Sequence, residues 1–220
     1  MCGRYASSRR PDDLVSYFDV EEPPEEALPP SYNVAPTDPV YGVIERHGVR
    51  VLRVLRWGLV PSWAKDPKVG ARFINARQES VADKPAFRAA YQRRRALLPA
   101  DGYYEWQPGA GRKQPWYLTS RDGSPLAMAG LYEVWRGPED TWLWTAAIIT
   151  TSAPDEVGAI HDRAPMLVPR EDWGRWLDGS VSDPGALLLP GTSGLLDAWP
   201  VSSAVGNVAN DGPELVVPVR

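Results

Sequence analysis

The chain has 220 residues, of which 43% are hydrophobic and 24% charged, with a net charge of −4; this is the balance of a soluble globular protein with one sizeable core. Its single cysteine, Cys2, excludes an internal disulfide and a cysteine-rich zinc site, and two histidines, His47 and His161, give no basis for a histidine-rich metal site. No apolar run reaches the about 18 residues of a membrane span, and no basic-then-apolar leader is visible, so a cytoplasmic or, for a eukaryote, nuclear protein is expected.

In chain order, residues 11–18 (PDDLVSYF) predict a short helix, with Asp in the first turn and Leu14, Val15 and Phe18 at helical spacing. The acidic, proline-rich EEPPEEALPP reads as a surface loop. Strands are predicted at 39–45 and 49–56 with Arg-His-Gly as the turn, followed by a loop, RWGLVPSWAKD, that carries two tryptophans. FINARQES, read as extended, puts Asn75, Arg77 and Glu79 on one face. Residues 84–95 (KPAFRAAYQRRR) predict a basic helix with Phe87 and Tyr91 four apart. Strands dominate from 96 to 150: ALLPADGYYEW, PWYLTS, PLAMAGLYEVW and TWLWTAAIITT. PREDWGRWLD is a further helix with Trp173, Trp176 and Leu177 on one face, and from Trp199 short β-prone pieces alternate with Gly and Asn. With no repeat and no linker, the expected fold class is α+β, a single domain around a mostly antiparallel, barrel-like sheet with short flanking helices.

The charge is unevenly spread. Residues 44–113 hold 15 Lys/Arg against 6 Asp/Glu, and the remainder holds 9 against 22. Solvated faces account for such runs as readily as a polyanion-binding surface does.

Several residues could carry chemistry. The initiator Met1 is normally removed before a small residue, which would leave Cys2 with an α-amine and a thiol on adjacent carbons. Their ordinary pKa values, about 8 and about 8.5, leave both groups a reactive fraction near neutrality. An aldehyde could condense with the amine to an imine, and the thiol could then close a thiazolidine ring; a frayed, inert terminus is the alternative. Glu105, within DGYYEW, shares a strand face with Tyr103 while Tyr104 and Trp106 point the other way. It is either a desolvated acid–base or a solvated edge residue. His161, in IHDRAP, is a candidate proton shuttle or a merely structural histidine, and Arg163 could pair with Asp162 or grip a phosphate. Asn75 can donate and accept hydrogen bonds, and Arg77 could bind phosphate. Trp63 and Trp106 are the best placed tryptophans for stacking on nucleic-acid bases.

Taken together, MCGRY, YNVAPT, RWGLVPSW, INAR followed by Glu79, ADGYYEW, AGLYE and IHDRAPMLV resemble, in order and across essentially the whole chain, the SOS response-associated peptidase (SRAP) family. Members of that family process abasic sites in DNA. The resemblance implies one domain over residues 2–220, with Met1 removed. It implies a covalent cross-link to an abasic site in single-stranded DNA, formed by the amine and then the sulfur of Cys2. Glu105 would be the general acid–base, His161 would assist sugar ring opening, and Asn75 would orient the terminal amine and thiol. Arg4, Arg77 and Arg163 match phosphate-contacting arginines, Trp63 and Trp106 base-stacking residues, and Asn33 a polar residue lining the same cleft. A monomer without metal or cofactor is implied, nucleoid-associated when on DNA. Gly206 departs from the family's preference for Asn in the tail. Two other functions stay open: a cysteine (auto)peptidase using Cys2 and His161, and a non-catalytic single-strand-binding module.

Overall fold

The computed structural model describes residues 2–109, 111–153, 155–181, 184–187 and 194–219. The fold grows from two sheets. Strands β1 (Tyr5–Ser7) and β2 (Ser31–Val34) flank helix α1 (Pro11–Tyr17) in sequence, and the long hairpin of β3 (Pro39–Arg46) and β4 (Val49–Trp57) follows. Its turn is two residues, His47 and Gly48, both with positive φ (54° and 79°); such a turn matches the strands' own twist, and the glycine meets the demand without a Cβ.

Strand β5 (Asn75–Arg77), helix α2 (Arg88–Arg93), β6 (Arg95–Ala100), β7 (Gly102–Gln107), β8 (Gln114–Ser120), β9 (Leu126–Arg136) and β10 (Trp142–Ser152) come next. Helix α3 (Asp155–Ile160), β11 (Arg163–Pro165), α4 (Trp173–Leu177) and β12 (Leu196–Pro200) complete the described elements. In space the order β10-β4-β3-β6-β9 closes on itself through β9–β10 pairing, giving a five-stranded barrel, with β5 and β11 joined to β10. The second sheet runs β12-β8-β7-β1-β2. Most pairs are antiparallel; β10 pairs in parallel with β4 and β5. The fold is α+β, as the sequence predicts.

Period-two alternation divides each strand between cores. On β9, Leu126, Met128 and Tyr132 face the cluster inside the barrel, while Ala127, Ala129 and Leu131 face the cluster under the helices, which includes Trp173 and Trp176. Gly42 and Gly130 fall where a Cβ would lie 2.5 Å from Leu55 and 2.7 Å from Leu98, so two leucines fill the interior space that larger residues would contest. The inner face of the second sheet (Tyr5, Tyr103, Leu118) packs on the barrel cluster, and its outer face (Tyr104, Tyr117) packs on Val201, Val205 and Leu215 of the tail.

Two sequence expectations change. The helix expected over 84–95 is confined to Arg88–Arg93, because Arg95 opens β6 with its guanidinium buried. That group donates to the carbonyls of Trp176 (2.6 Å), Tyr91 and Gln92 (both 2.9 Å) and Asp178, tying α4 to the barrel. The run ALLPADGYYEW is two strands in two sheets. It breaks at Asp101, whose carboxylate accepts from Ser8 N–H (2.6 Å), Ser8 Oγ (2.7 Å) and Arg9 Nε (3.0 Å).

Candidate active site

Residues separated by up to 159 positions meet where the chain's start enters the second sheet. Strand β1 lies between β2 and β7, with Tyr5 directly opposite Tyr103 and Tyr104 N–H donating to Arg4 C=O at 3.0 Å. This insertion carries Cys2 into the interior cluster, where it is fully buried beside Tyr5, Trp57 and Tyr103. Burial pushes its thiol far above the ordinary range, and the nearby Glu105 carboxylate raises it further.

Asn75 reaches Cys2 from the barrel. Pairing of β5 with β10 sets Asn75 beside Ile148, and Trp57 Nε1 fixes the preceding Ile74 carbonyl at 3.0 Å. The Asn75 amide then donates to Cys2 C=O at 2.7 Å. Glu105 comes from β7. Its side chain is 2% exposed, and burial pushes its carboxyl up to about 7. The sequence left open whether Glu105 is solvated; it is not. A carboxyl poised there carries a substantial fraction of both its protonation states near neutral pH, which acid–base catalysis requires.

His161 follows α3, and Gln107 holds that helix against β7 by donating to Ala159 C=O at 2.9 Å. His161 Nε2 lies 3.9 Å from Glu105 Oε2, near it but beyond direct hydrogen-bond distance. Two groups approach its Nδ1: the fixed backbone N–H of Arg163 and the solvated Asp162 carboxylate, both at 3.0 Å. Burial lowers the His161 pKa, favouring the neutral ring. In that ring the Arg163 N–H makes Nδ1 the acceptor and leaves the proton on Nε2, facing Glu105.

The remaining candidates sort by geometry. Arg163 is clamped by Glu79 (Nη1–Oε1 2.6 Å, Nη2–Oε2 3.1 Å) and donates to Thr150 C=O at 2.7 Å; this pair holds Glu79 below its ordinary value. Arg77 is exposed on the same segment. Trp63 is 62% exposed in a loop anchored by the bond from Trp135 Nε1 to Ala64 C=O at 2.7 Å. Trp106 is half-buried against the outer cluster with Tyr104, across the strand from Glu105. Asn33 is buried, not cleft-lining: its Oδ1 accepts from Arg4 (2.7 Å) and its Nδ2 faces the carbonyls of Val205, Asn207 and Asn210 at 3.3, 3.1 and 2.7 Å. Arg4 also donates to Val205 C=O at 2.8 Å, so both residues brace the tail. Gly206 lies beside this brace with open space around it, and an asparagine would fit there.

Among the described residues no cluster of three or more His, Cys, Asp or Glu could hold a metal ion, and no helix is long and apolar enough to cross a membrane. A cavity of about 480 Å³ is lined by Arg121, Leu126, Val168, Trp173 and Leu196; Leu126 and Leu196 also belong to the cluster that holds Cys2, but none of Cys2, Asn75, Glu105 and His161 lines the cavity.

The architecture and the sequence both have relatives. A solved protein from Bacteroides thetaiotaomicron superposes with a TM-score of 0.89 over all of both chains at 22% identity, which concerns the fold. The abasic site processing protein YoqW of Bacillus subtilis is 38% identical over 98% of this chain and 99% of its own. YedK of Escherichia coli, also named an abasic site processing protein, is 36% identical over the whole of both. HMCES of Xenopus tropicalis, named likewise, is 30% identical over all of this chain and 78% of its own. The model of the family described as SOS response associated peptidase (SRAP) matches residues 1–208. With that match across nearly the whole chain, and those identities, the protein belongs to the SRAP family.

Proposed function

We propose that this protein captures abasic sites in single-stranded DNA through Cys2, forming a thiazolidine DNA–protein cross-link once Met1 has been removed. The observation that carries the proposal is the convergence of Cys2, its Asn75 anchor at 2.7 Å and a buried Glu105 poised at about 7, with His161 alongside. The names of the similar proteins YoqW, YedK and HMCES, abasic site processing proteins, support its abasic-site part.

Each step has a group suited to it. To open the deoxyribose hemiacetal, the C1′ hydroxyl gives its proton to the Glu105 carboxylate, the C1′–O4′ bond breaks and O4′ takes that proton, exposing the C1′ aldehyde. His161, whose Nε2–H faces Glu105, assists by orienting the carboxylate. The Cys2 amine lone pair attacks C1′, and the carbonyl electron pair moves onto oxygen, which takes a proton. Glu105 in its acid form protonates that hydroxyl, which leaves as water as the imine forms. Its carboxylate form then accepts the thiol proton as sulfur adds to the carbon of the protonated imine, whose double-bond electron pair moves onto nitrogen and leaves a neutral ring N–H. Aldehyde, amine and thiol thus give thiazolidine and one water. Asn75 holds the Cys2 carbonyl and so fixes where amine and sulfur can swing. The exposed Arg77 and Trp63 supply a phosphate partner and a stacking surface for the strand.

A cysteine peptidase draws less support, because burial and Glu105 both oppose the thiolate such chemistry needs. The test is cross-linking to an abasic oligonucleotide, scored on a denaturing gel. Wild type gives a shifted band; Cys2→Ala, and a form with an uncleavable residue before Cys2, give none. A stable thiazolidine adduct from the blocked form would overturn the mechanism.

A further inference from the structure

Few buried side-chain polar atoms lack a hydrogen-bond partner among the described residues; two are guanidinium nitrogens of the ion-paired Arg94 and Arg163, and others gather around Cys2. Tyr5 OH, Tyr103 OH and Asn75 Oδ1 are among them. Tyr5 and Tyr103 are each 1% exposed, stand directly opposite one another across the β1–β7 pair and share a cluster with Cys2. Asn75 is fixed beside them by its bond to Cys2 C=O, which leaves Oδ1 turned away from that carbonyl.

A buried phenol ordinarily finds a hydrogen-bond partner, and this chain shows it elsewhere. Tyr104, the next residue on β7 and on the opposite face, donates to Tyr32 C=O at 2.7 Å. Tyr41 OH accepts from Leu28 N–H at 2.6 Å. If Tyr5 and Tyr103 served packing alone, phenylalanine would do so without burying an orphaned hydroxyl.

We propose that Tyr5 OH and Tyr103 OH form a two-donor socket for the oxygen of the aldehyde that Cys2 attacks, with Asn75 Oδ1 accepting from the hydroxyl that oxygen becomes. A carbonyl oxygen has two lone pairs and can take both donors. As the amine adds, that oxygen gains charge, and donors already in place stabilise it without reorganisation. Burial and the neighbouring Cys2 hold both phenols well above their ordinary range, so they stay neutral donors at any working pH. The inference deepens the aldehyde-capture proposal and rests on it.

The test compares wild type with Tyr5→Phe, Tyr103→Phe and the double variant. Borohydride trapping of the imine is timed with two probes, an abasic oligonucleotide and propanal, and the thermal unfolding midpoint of each protein is measured. Each hydroxyl lost should slow trapping by about 10²-fold with both probes, while the unfolding midpoint holds or rises because an unpartnered polar group has been removed. A lower midpoint in the phenylalanine variants would mean the hydroxyls are structural and would overturn the proposal. So would unchanged rates, or a loss confined to the oligonucleotide, which would place the hydroxyls on another part of the sugar. Wild type inert to both probes would instead defeat the aldehyde-capture proposal itself. Wild type reactive with propanal alone would defeat only its choice of substrate, leaving the socket testable on propanal.

Discussion

Replacing Glu105 by glutamine should stabilise the protein while disabling it. The carboxyl moves from its ordinary 4.5 to about 7 on folding, chiefly through burial. The native state therefore holds a proton that the unfolded chain releases between those values, and stability falls as pH rises through that window. At about 1.4 kcal/mol per pH unit, the loss reaches roughly 3 kcal/mol above pH 7. The Glu105→Gln variant has no such proton to lose. Urea unfolding at pH 4.5 and pH 8 should give similar stabilities for both proteins at the lower pH. At the higher pH the variant should be more stable by on the order of 2–3 kcal/mol. Cross-linking by the variant should fall by about 10² or more, the usual range for loss of a positioned acid–base. A variant no more stable than wild type at pH 8, or one that cross-links at the wild-type rate, would refute the desolvated, proton-transferring Glu105.

Further outcomes concern the surface around the site. Trp63→Ala should weaken single-strand binding by about 1–3 kcal/mol in a fluorescence titration, with unfolding unchanged because the ring is largely exposed. Glu79→Gln should release Arg163 from its clamp. Affinity for single-stranded DNA should then rise and its salt dependence steepen by about one phosphate contact, read from binding isotherms at several salt concentrations.

Where local pattern decides the structure, the sequence is a good guide. The β3–β4 hairpin follows from two β-prone apolar runs around His47-Gly48, and the helix at Trp173, Trp176 and Leu177 from its apolar face. The alternation that sets Glu105 beside Tyr103 and Trp106 opposite is realised in β7. What stays hidden depends on distant partners. Nothing near Arg95 signals that carbonyls around residue 176 will end helix α2, and β1 and β5 are three-residue strands made by pairing with β7 and β10. The site is legible as a set of residue types, since Cys2, Asn75, Glu105 and His161 are named by their chemistry and by family resemblance. Their meeting is not, because it is built by those same long-range pairs. Asn33 shows the limit: a polar residue in a recognisable motif is spent on bracing the tail.

The central claim is that Cys2 reacts as a free aminothiol. Intact-mass analysis of the purified protein, alone and after incubation with an abasic single-stranded oligonucleotide, tests it most directly. The protein alone should weigh the chain without Met1, and the adduct should weigh that chain plus the oligonucleotide less one water. A protein that retains Met1 yet gains the oligonucleotide, or one that loses Met1 and gains nothing, would contradict it.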